Sequence, residues 1–248
     1  FSLTEMKHAS GASLSVYEYG AHIASWKDST GNEVLFMSPR ALFQVGKAIR
    51  GGIPIVFPQF GKGPMPAHGF GRTSNWSRIR ESFLDSGPSS RGLRRSNNEE
   101  TAKVWPHQFV AELEIVLDTA LTIRMRVNNR GTEPFEFQSA LHTYFAVKDI
   151  SQTEVVGLKG IKYKDFLKQG AEAIEENAEF KITQLTDRVY LDSPSTLVVN
   201  DIAGKRSIEI SKTGFRDSVV WNPWKDGSAA LTDLESASYK KFICVESG

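Results

Sequence analysis

The 248-residue sequence predicts an all-β protein, with antiparallel sheets packed as a sandwich or a barrel and with little helix. Alternation of apolar and polar side chains with a period of two recurs along the chain, as expected of strands with one buried face. Helical periodicity is scarce, and the strand–helix alternation that builds parallel sheets is missing. No change in composition marks a second domain, so residues 1–248 are predicted to form a single domain.

Two segments show the alternation most clearly. Residues 121–127 (LTIRMRV) are apolar at every odd position, and turn-forming residues follow at 128–134. Residues 135–145 alternate again, which places His142 on the face opposite the apolar side chains. Shorter runs bounded by turns predict further strands at 14–19, 113–117, 197–200, 207–210, 219–221 and 242–245.

Two segments depart from this pattern. Residues 171–180 are the only ones that suggest a short helix. Residues 85–100, rich in Ser, Gly, Arg and Asn, are predicted to be a surface loop. The basic residues Arg91, Arg94 and Arg95 have no interleaved aromatic side chains, so a solvated loop explains them better than a nucleic-acid site.

The overall composition excludes several classes of protein. Lys and Arg number 30 and Asp and Glu 29, a formal charge of +1 that argues against nucleic acid or an anionic membrane as the main partner. No apolar run approaches the ~18 residues of a membrane helix, and the first twenty residues lack an export signal. Cys244 is the only cysteine, which indicates a reducing compartment. We therefore expect a cytoplasmic protein, and we expect it to be a monomer.

Residues 49–76 are interrupted repeatedly by glycine and proline, and they carry Arg50, His68 and Arg72. Two guanidinium groups and an imidazole on such a scaffold would suit an anion pocket. The alternative is that glycine and proline only turn corners between strands and that both arginines pair with surface carboxylates. The glycine spacing matches neither a dinucleotide fingerprint nor a P-loop.

His142 and Glu246 each break a local pattern, the first in a strong strand and the second at the end of an apolar run. A histidine and a glutamate facing one cleft would suit proton transfer, as acid and base. Either residue alone is better explained as a hydrogen-bonded surface residue. The five histidines form no close-spaced ligand set, so no metal site is expected.

Two further residues could contact a sugar. Trp221 ends a strand, and its ring could stack on the apolar face of a sugar or fill the core. Asp187 could accept hydrogen bonds from ligand hydroxyls, or it could pair with Arg188 or another local cation.

Together, these segments resemble the aldose 1-epimerase (mutarotase) superfamily, and more closely its glucose-6-phosphate 1-epimerase branch. The resemblance covers essentially the whole chain, and the long Arg-Gly-Gly-Ile-Pro segment is far more specific than any single triplet. The matching segments are SPRALF (38–43), IRGGIPIVFPQFG (49–61), HGFGR (68–72), DRVY (187–190), VWNPW (220–224) and the tail FICVESG (242–248).

The resemblance implies a galactose mutarotase-like β-supersandwich with an open cleft on one sheet. It implies that His142 is the general acid, that Glu246 is the general base and that no cofactor is needed. His68 would position the sugar and Asp187 would hold a hydroxyl.

In this branch Arg50 and Arg72 would hold a 6-phosphate, because forked guanidinium groups suit a phosphate dianion. The expected partner is thus a small-molecule hexose phosphate. Two alternatives stay open: a mutarotase for unphosphorylated aldoses, and a non-catalytic module that binds sugar phosphates.

Overall fold

The computed structural model describes residues 1–82 and 87–248, and the chain divides into two compact units. Unit 1 comprises Phe1–Leu35 and Leu42–Ser139, and unit 2 comprises Phe36–Ala41 and Ala140–Gly248. The sheets of each unit are antiparallel and helix is scarce, which confirms the predicted all-β class. A single domain over residues 1–248 stays a prediction. None of the helices in the described parts of the chain is long and apolar enough to cross a membrane.

Unit 1 contains a three-stranded sheet in the order β1-β2-β3 and a four-stranded sheet in the order β5-β6-β7-β8. Its helical segments are α1 (Glu99–Val104) and a 3-10 turn at Gly71–Thr73. Its strands are β1 (Leu3–Lys7), β2 (Ser13–Tyr17), β3 (His22–Lys27), β4 (Ile55–Val56), β5 (Ser77–Ser82), β6 (Ser89–Ser96), β7 (Phe109–Leu117) and β8 (Leu121–Asn129).

The strand β7 shows why the period of two succeeds as a predictor. Its sequence FVAELEIVL buries every second side chain completely and leaves those between half-buried. The register continues into β8, where Leu113 pairs with Met125 and Ile115 with Ile123. The apolar face is therefore the more buried one along the hairpin, fully buried in β7 and partly buried in β8, as the alternation indicates.

The predicted surface loop at 85–100 is wrong for most of its length. The segment Ser89–Ser96 is strand β6, paired with both β5 and β7, and α1 begins just after Asn98. Cross-strand ion pairs satisfy the polar side chains, since Arg94 Nη2 lies 2.6 Å from Glu112 Oε1. A sequence rich in Ser and Arg therefore forms a strand rather than a loop. Residues 85 and 86 lie outside the described residues.

Unit 2 contains a sheet in the order β13-β12-β15-β18-β19-β9, in which β10 also pairs with β19, and a sheet in the order β14-β11-β16-β17. Its helical segments are α2 (Trp224–Ala230) and 3-10 turns at Ile150–Gln152, Phe166–Lys168 and Ser238–Lys241. Its strands are β9 (Ala140–Leu141), β10 (Tyr144–Ala146), β11 (Thr153–Val156), β12 (Lys162–Asp165), β13 (Ala171–Ile174), β14 (Glu179–Lys181), β15 (Thr186–Tyr190), β16 (Thr196–Asp201), β17 (Arg206–Ser211), β18 (Ser218–Asn222) and β19 (Phe242–Ser247).

The helix predicted at 171–180 is also wrong, because β13 and β14 occupy this segment. Alanine and glutamate favour helices, but intrinsic propensities differ by less than about 1 kcal/mol per residue, and pairing of β13 with β12 overrides that preference. Glu175 then turns into the interior, where its carboxylate accepts hydrogen bonds from Arg188 and from the Tyr190 hydroxyl, each at 3.0 Å. If this segment were helical, it could not keep both contacts of Glu175 and the pairing of β13 with β12.

The strand predicted at 135–145 is shorter than expected and interrupted. Residues 135–139 adopt no strand, and the chain forms β9 and β10 around His142 and Thr143. The Thr143 N–H donates to Leu141 O at 2.9 Å, a tight local bond that breaks the regular ladder. The remaining predicted strands are confirmed within β2, β7, β8, β16, β17, β18 and β19, with ends that differ by a few residues.

Unit 1 buries a histidine that sequence analysis gives no role. His22, on β3, is 2% exposed, and burial lowers its pKa to about 3. Its Nε2 faces Gly52, whose positive φ of 60° and close approach to the Ile23 carbonyl leave no space for a Cβ atom. The imidazole is therefore held neutral in a site built around the Arg50-Gly51-Gly52 turn.

We expect acid to destabilise the fold through His22. The unfolded histidine titrates near 6.5 and the folded one near 3, so the unfolded chain binds the extra proton in this window. As the pH falls through it, the free energy of unfolding should drop by up to about 1.4 kcal/mol per pH unit from this group. In urea unfolding between pH 7 and pH 4, the free energy of unfolding should fall less steeply in a His22→Gln variant than in the wild type. His107→Gln, which replaces a half-buried histidine of the same unit, is the control; parallel curves for wild type and His22→Gln would contradict the assignment.

Candidate active site

One row of side chains crosses the sheet of unit 2, with one residue from each of the strands β15, β18, β19 and β10. Asp187 lies opposite Trp221, and Trp221 lies opposite Cys244. On the other side of β19, Tyr144 also lies opposite Cys244. Partners in an antiparallel ladder project to the same face, so these four side chains share one face of the sheet.

The next row on this face holds His142 and Glu246. Side chains two residues apart on a strand project to the same side, so Glu246 follows Cys244 on that face. The His142 ring lies on the same face because it stacks on the Tyr144 ring. The residue before His142 pairs with the residue after Glu246, and this register places the two residues opposite each other. The structure therefore brings together two residues that are about a hundred positions apart in the sequence.

The imidazole and the carboxylate are close together and buried. His142 Nδ1 lies 3.2 Å from Glu246 Oε1, and the two residues are 7% and 2% exposed. The Tyr144 ring stacks on the His142 ring with centroids 4.9 Å apart, and the Trp221 ring meets it edge-on at 5.9 Å. Removing a carboxylate from water is costly unless a partner compensates it, and the imidazole supplies that partner. Neither residue is the exposed surface side chain that each suggests when considered alone.

Asp187 lines a cavity of about 270 Å³ beside the row, together with Asp165 and Thr186. Burial raises the pKa of the Asp187 carboxyl, and the charge of Asp165 raises it further. The alternative partner proposed for it, Arg188, instead lies 3.0 Å from Glu175. Asp187 thus faces a cavity large enough for polar groups of a ligand.

The end of β18 and the residues that follow it hold the start of β19 in place. The Asn222 side-chain amide donates to Tyr239 O at 3.0 Å and to Phe242 O at 2.9 Å, while its oxygen accepts from the Trp224 N–H at 2.8 Å. The Trp224 ring packs on Tyr239 with centroids 5.1 Å apart. Within this motif, Asn222 and Trp224 hold the strand that carries Glu246, and Trp221 alone lies beside His142.

Unit 1 carries the other three predicted residues, Arg50, His68 and Arg72, and brings them near one another. Burial, then the charge of Arg72, then that of Arg50 lower the pKa of His68 to about 4. The Arg72 Nη2 group donates to Ala67 O at 3.0 Å, which ties the guanidinium to the turn that carries His68. The guanidinium groups of Arg50 and Arg72 therefore lie close enough to His68 to help keep its imidazole neutral at pH 7.

The backbone at His68 is unusual for a residue with a side chain. Its φ is 67°, in the left-handed region, and such residues cost of order 1–3 kcal/mol and tend to occur at functional sites. The Gly61 N–H lies 3.4 Å from His68 Nδ1 and donates to it, which leaves the ring hydrogen on Nε2. Gly69 follows, where a Cβ would collide with Phe57 O. The turn therefore orients a neutral imidazole as a hydrogen-bond donor.

Sequence analysis missed Tyr144 and Cys244 as members of the site. Each lies two residues from a predicted catalytic residue, so the period-two rule places it on the same face. Tyr144 and Cys244 are both almost fully buried and pack in one cluster with Phe242 and Leu234. This spacing is the signal that could have identified them.

Comparison with known proteins gives the family. The family model described as aldose 1-epimerase matches residues 2–248, and the chain belongs to this family. A relative from Cenchrus ciliaris is 37% identical over 97% of this chain and 76% of its own length. A relative from Escherichia coli K12 is 36% identical over 92% of this chain and 76% of its own length. Both carry the name "putative glucose-6-phosphate 1-epimerase".

Solved structures agree with this assignment. The crystal structure of a "putative mutarotase" from Salmonella typhimurium has a TM-score of 0.92 and 31% identity, covering 99% of this chain and 82% of that one. A galactose mutarotase-like protein from Lactobacillus casei, at 16% identity, shares the fold with a TM-score of 0.81 over 99% of this chain and 87% of its own. The predictions of a galactose mutarotase-like fold and of an isomerase of the aldose 1-epimerase type are confirmed.

Proposed function

We propose that the protein interconverts the α and β anomers of hexose 6-phosphates, and that glucose 6-phosphate is its preferred substrate. The observation that carries the proposal is the 3.2 Å approach of His142 Nδ1 to Glu246 Oε1 on one buried sheet face. The names of the two relatives above support the phosphorylated substrate. A cytoplasmic location and a monomeric state stay predictions.

The reaction opens and recloses a cyclic hemiacetal. Glu246 takes the proton of the anomeric hydroxyl as the C1=O1 double bond forms and the bond from C1 to the ring oxygen breaks. His142, as imidazolium, gives its proton to the departing ring oxygen. Rotation about C1–C2 and reclosure on the other face give the other anomer, while both protons return to their original groups. The scheme moves two protons and breaks and re-forms one C–O bond, so it needs no cofactor.

The geometry of the pair suits this reaction. The ring oxygen and the anomeric hydroxyl are bonded to the same carbon, so the acid and the base must act within a short distance of each other. A general acid or base typically contributes about 10²–10⁴-fold to the rate. Burial of both groups strengthens their electrostatic effect, and the Tyr144 ring holds the orientation of the imidazole.

We assign substrate binding to the remaining predicted residues. Arg50 and Arg72 would hold the 6-phosphate through charge-assisted, forked hydrogen bonds. His68, neutral at pH 7 because its pKa is about 4, would donate from Nε2 to a sugar oxygen. Asp187 would accept from a hydroxyl, and the Trp221 ring would cover the apolar face of the sugar.

Exchange NMR on equilibrium mixtures of anomers tests the proposal directly. We expect added protein to accelerate exchange between the anomers of glucose 6-phosphate well beyond its effect on glucose. Equal acceleration on both sugars would overturn the phosphate specificity in favour of a mutarotase for unphosphorylated aldoses. Tight binding of glucose 6-phosphate by folded protein with no acceleration would overturn the enzymatic proposal in favour of a binding module.

A further inference from the structure

We propose that His142, Cys244 and Glu246 form a binding site for a thiophilic divalent cation of the Zn²⁺ type, and that the bound cation blocks the acid–base pair. The imidazole, thiol and carboxylate ligand atoms all lie within 4.8 Å of one another. The three residues are 7%, 0% and 2% exposed. They are thus a compact nitrogen, sulfur and oxygen set rather than scattered surface groups.

The spacing of the three atoms is close to that of a tetrahedral zinc centre. Bonds of about 2.0–2.1 Å to nitrogen and oxygen, at tetrahedral angles, place those two ligand atoms roughly 3.3 Å apart. His142 Nδ1 and Glu246 Oε1 are already 3.2 Å apart. With a bond of about 2.3 Å to sulfur, the thiol would lie roughly 3.6 Å from each of the other two ligand atoms, so a movement of about 1 Å completes the set.

Charge and ligand type favour zinc over the commoner hard cations. A thiolate and a carboxylate together neutralise a dication, which suits a buried position of low dielectric. Coordination requires that the Cys244 thiol lose its proton, which passes to solvent, and that the imidazole coordinate in its neutral form. Mg²⁺ and Ca²⁺ prefer six or more oxygen ligands and would find one side-chain oxygen donor group here. Three protein ligands leave a fourth position for water.

The site is visible only in three dimensions. Cys244 and Glu246 are adjacent on one face of β19 because they are two residues apart, and the register brings His142 opposite Glu246. The histidine spacing in the sequence contains no sign of this set. The His142 side chain, 9% exposed, is the most exposed of the three.

A cation in this position would inhibit the reaction. It would occupy an oxygen of the carboxylate that takes the hydroxyl proton, and it would hold the imidazole in its neutral form instead of the imidazolium that gives the other proton. This inhibitory consequence rests on the proposed function, whereas binding of the cation does not. The two can therefore be tested separately.

Cobalt(II) titration of the full chain tests the binding. Cys244 is the only cysteine, so a thiolate-to-cobalt charge-transfer band can arise only from this residue. We expect such a band with one Co²⁺ per chain, its loss on addition of one equivalent of Zn²⁺, and no effect of excess Mg²⁺. Cys244→Ala should abolish the band, and Cys244→Ser should weaken Zn²⁺ binding by at least about tenfold. His8→Gln is the matched control, since His8 pairs with Asp118 in unit 1 rather than with any of the three proposed ligands, and it should leave the band unchanged.

Anomer exchange measured in the same Zn²⁺ series tests the inhibition, with each variant normalised to its own metal-free rate. The wild-type rate should fall at the Zn²⁺ concentration that displaces Co²⁺, and Cys244→Ala should need at least about tenfold more. Absence of the charge-transfer band in wild-type protein would overturn the site, even where exchange is fast. A band in a protein that does not accelerate exchange would leave the site standing and would overturn the proposed function instead.

Discussion

Replacement of Glu246 by glutamine should lower the catalysed anomer exchange of glucose 6-phosphate by about 10²–10⁴-fold. The amide has nearly the shape of the carboxylate and keeps hydrogen-bonding capacity in the buried position, but it cannot take the proton of the anomeric hydroxyl. Binding of glucose 6-phosphate should change much less than the rate. Exchange NMR gives the rate, and calorimetric titration gives the affinity.

The control must separate loss of the base from loss of the fold. Glu209→Gln makes the same chemical change at an exposed position on β17 of the same unit, and it should leave the exchange rate unchanged. The thermal midpoint of Glu246→Gln should confirm that the chain is folded. A folded Glu246→Gln protein with the wild-type rate would contradict the mechanism.

The pair should also behave as one unit. Groups that act in the same proton transfer give strongly non-additive losses. A His142→Gln variant combined with Glu246→Gln should therefore be little slower than the slower single variant. Losses that multiply would indicate that His142 and Glu246 act independently of each other.

The sequence predicts much of the unit 2 sheet face, because the period of two assigns side chains to faces without knowledge of the partner strand. It places His142 on the face opposite Leu141, and the stacked Tyr144 ring confirms that assignment. It does not predict that β9 and β10 pair with β19, because strand pairing across about a hundred residues depends on the whole core. The prediction that His142 and Glu246 are exposed is wrong, because the sheet is buried on both faces where they lie. This burial also depends on the whole core.

The incorrect predictions have local causes of the same kind. Composition predicts a loop at 85–100, but cross-strand pairs such as Arg94 with Glu112 make a polar strand stable in β6. Alanine and glutamate predict a helix at 171–180, but the buried contacts of Glu175 with Arg188 and Tyr190 favour the strand. In each case the deciding partner lies on another strand, and no local pattern reports it.

Replacement of Arg72 by alanine should reduce kcat/KM for glucose 6-phosphate by roughly 10–150-fold, because a hydrogen bond to a charged group contributes about 1.5–3 kcal/mol. The rate on glucose, which lacks the phosphate, should stay near that of the wild type. Arg50→Ala should show the same selectivity. Arg72→Lys should recover part of the loss, because lysine keeps the charge but not the fork of donors.

The comparison between the two sugars makes this result informative about the role of the arginine. Arg72 also donates to Ala67 O, so its loss could disturb the His68 turn, and such damage would reduce activity on both sugars equally. Arg130→Ala, at an exposed position of the same unit, controls for the loss of one positive charge. A loss confined to the phosphorylated sugar in Arg50→Ala and Arg72→Ala, and absent in Arg130→Ala, identifies phosphate binding. Equal losses on both sugars would assign the arginines to the structure of the turn and leave the specificity of the enzyme to other residues.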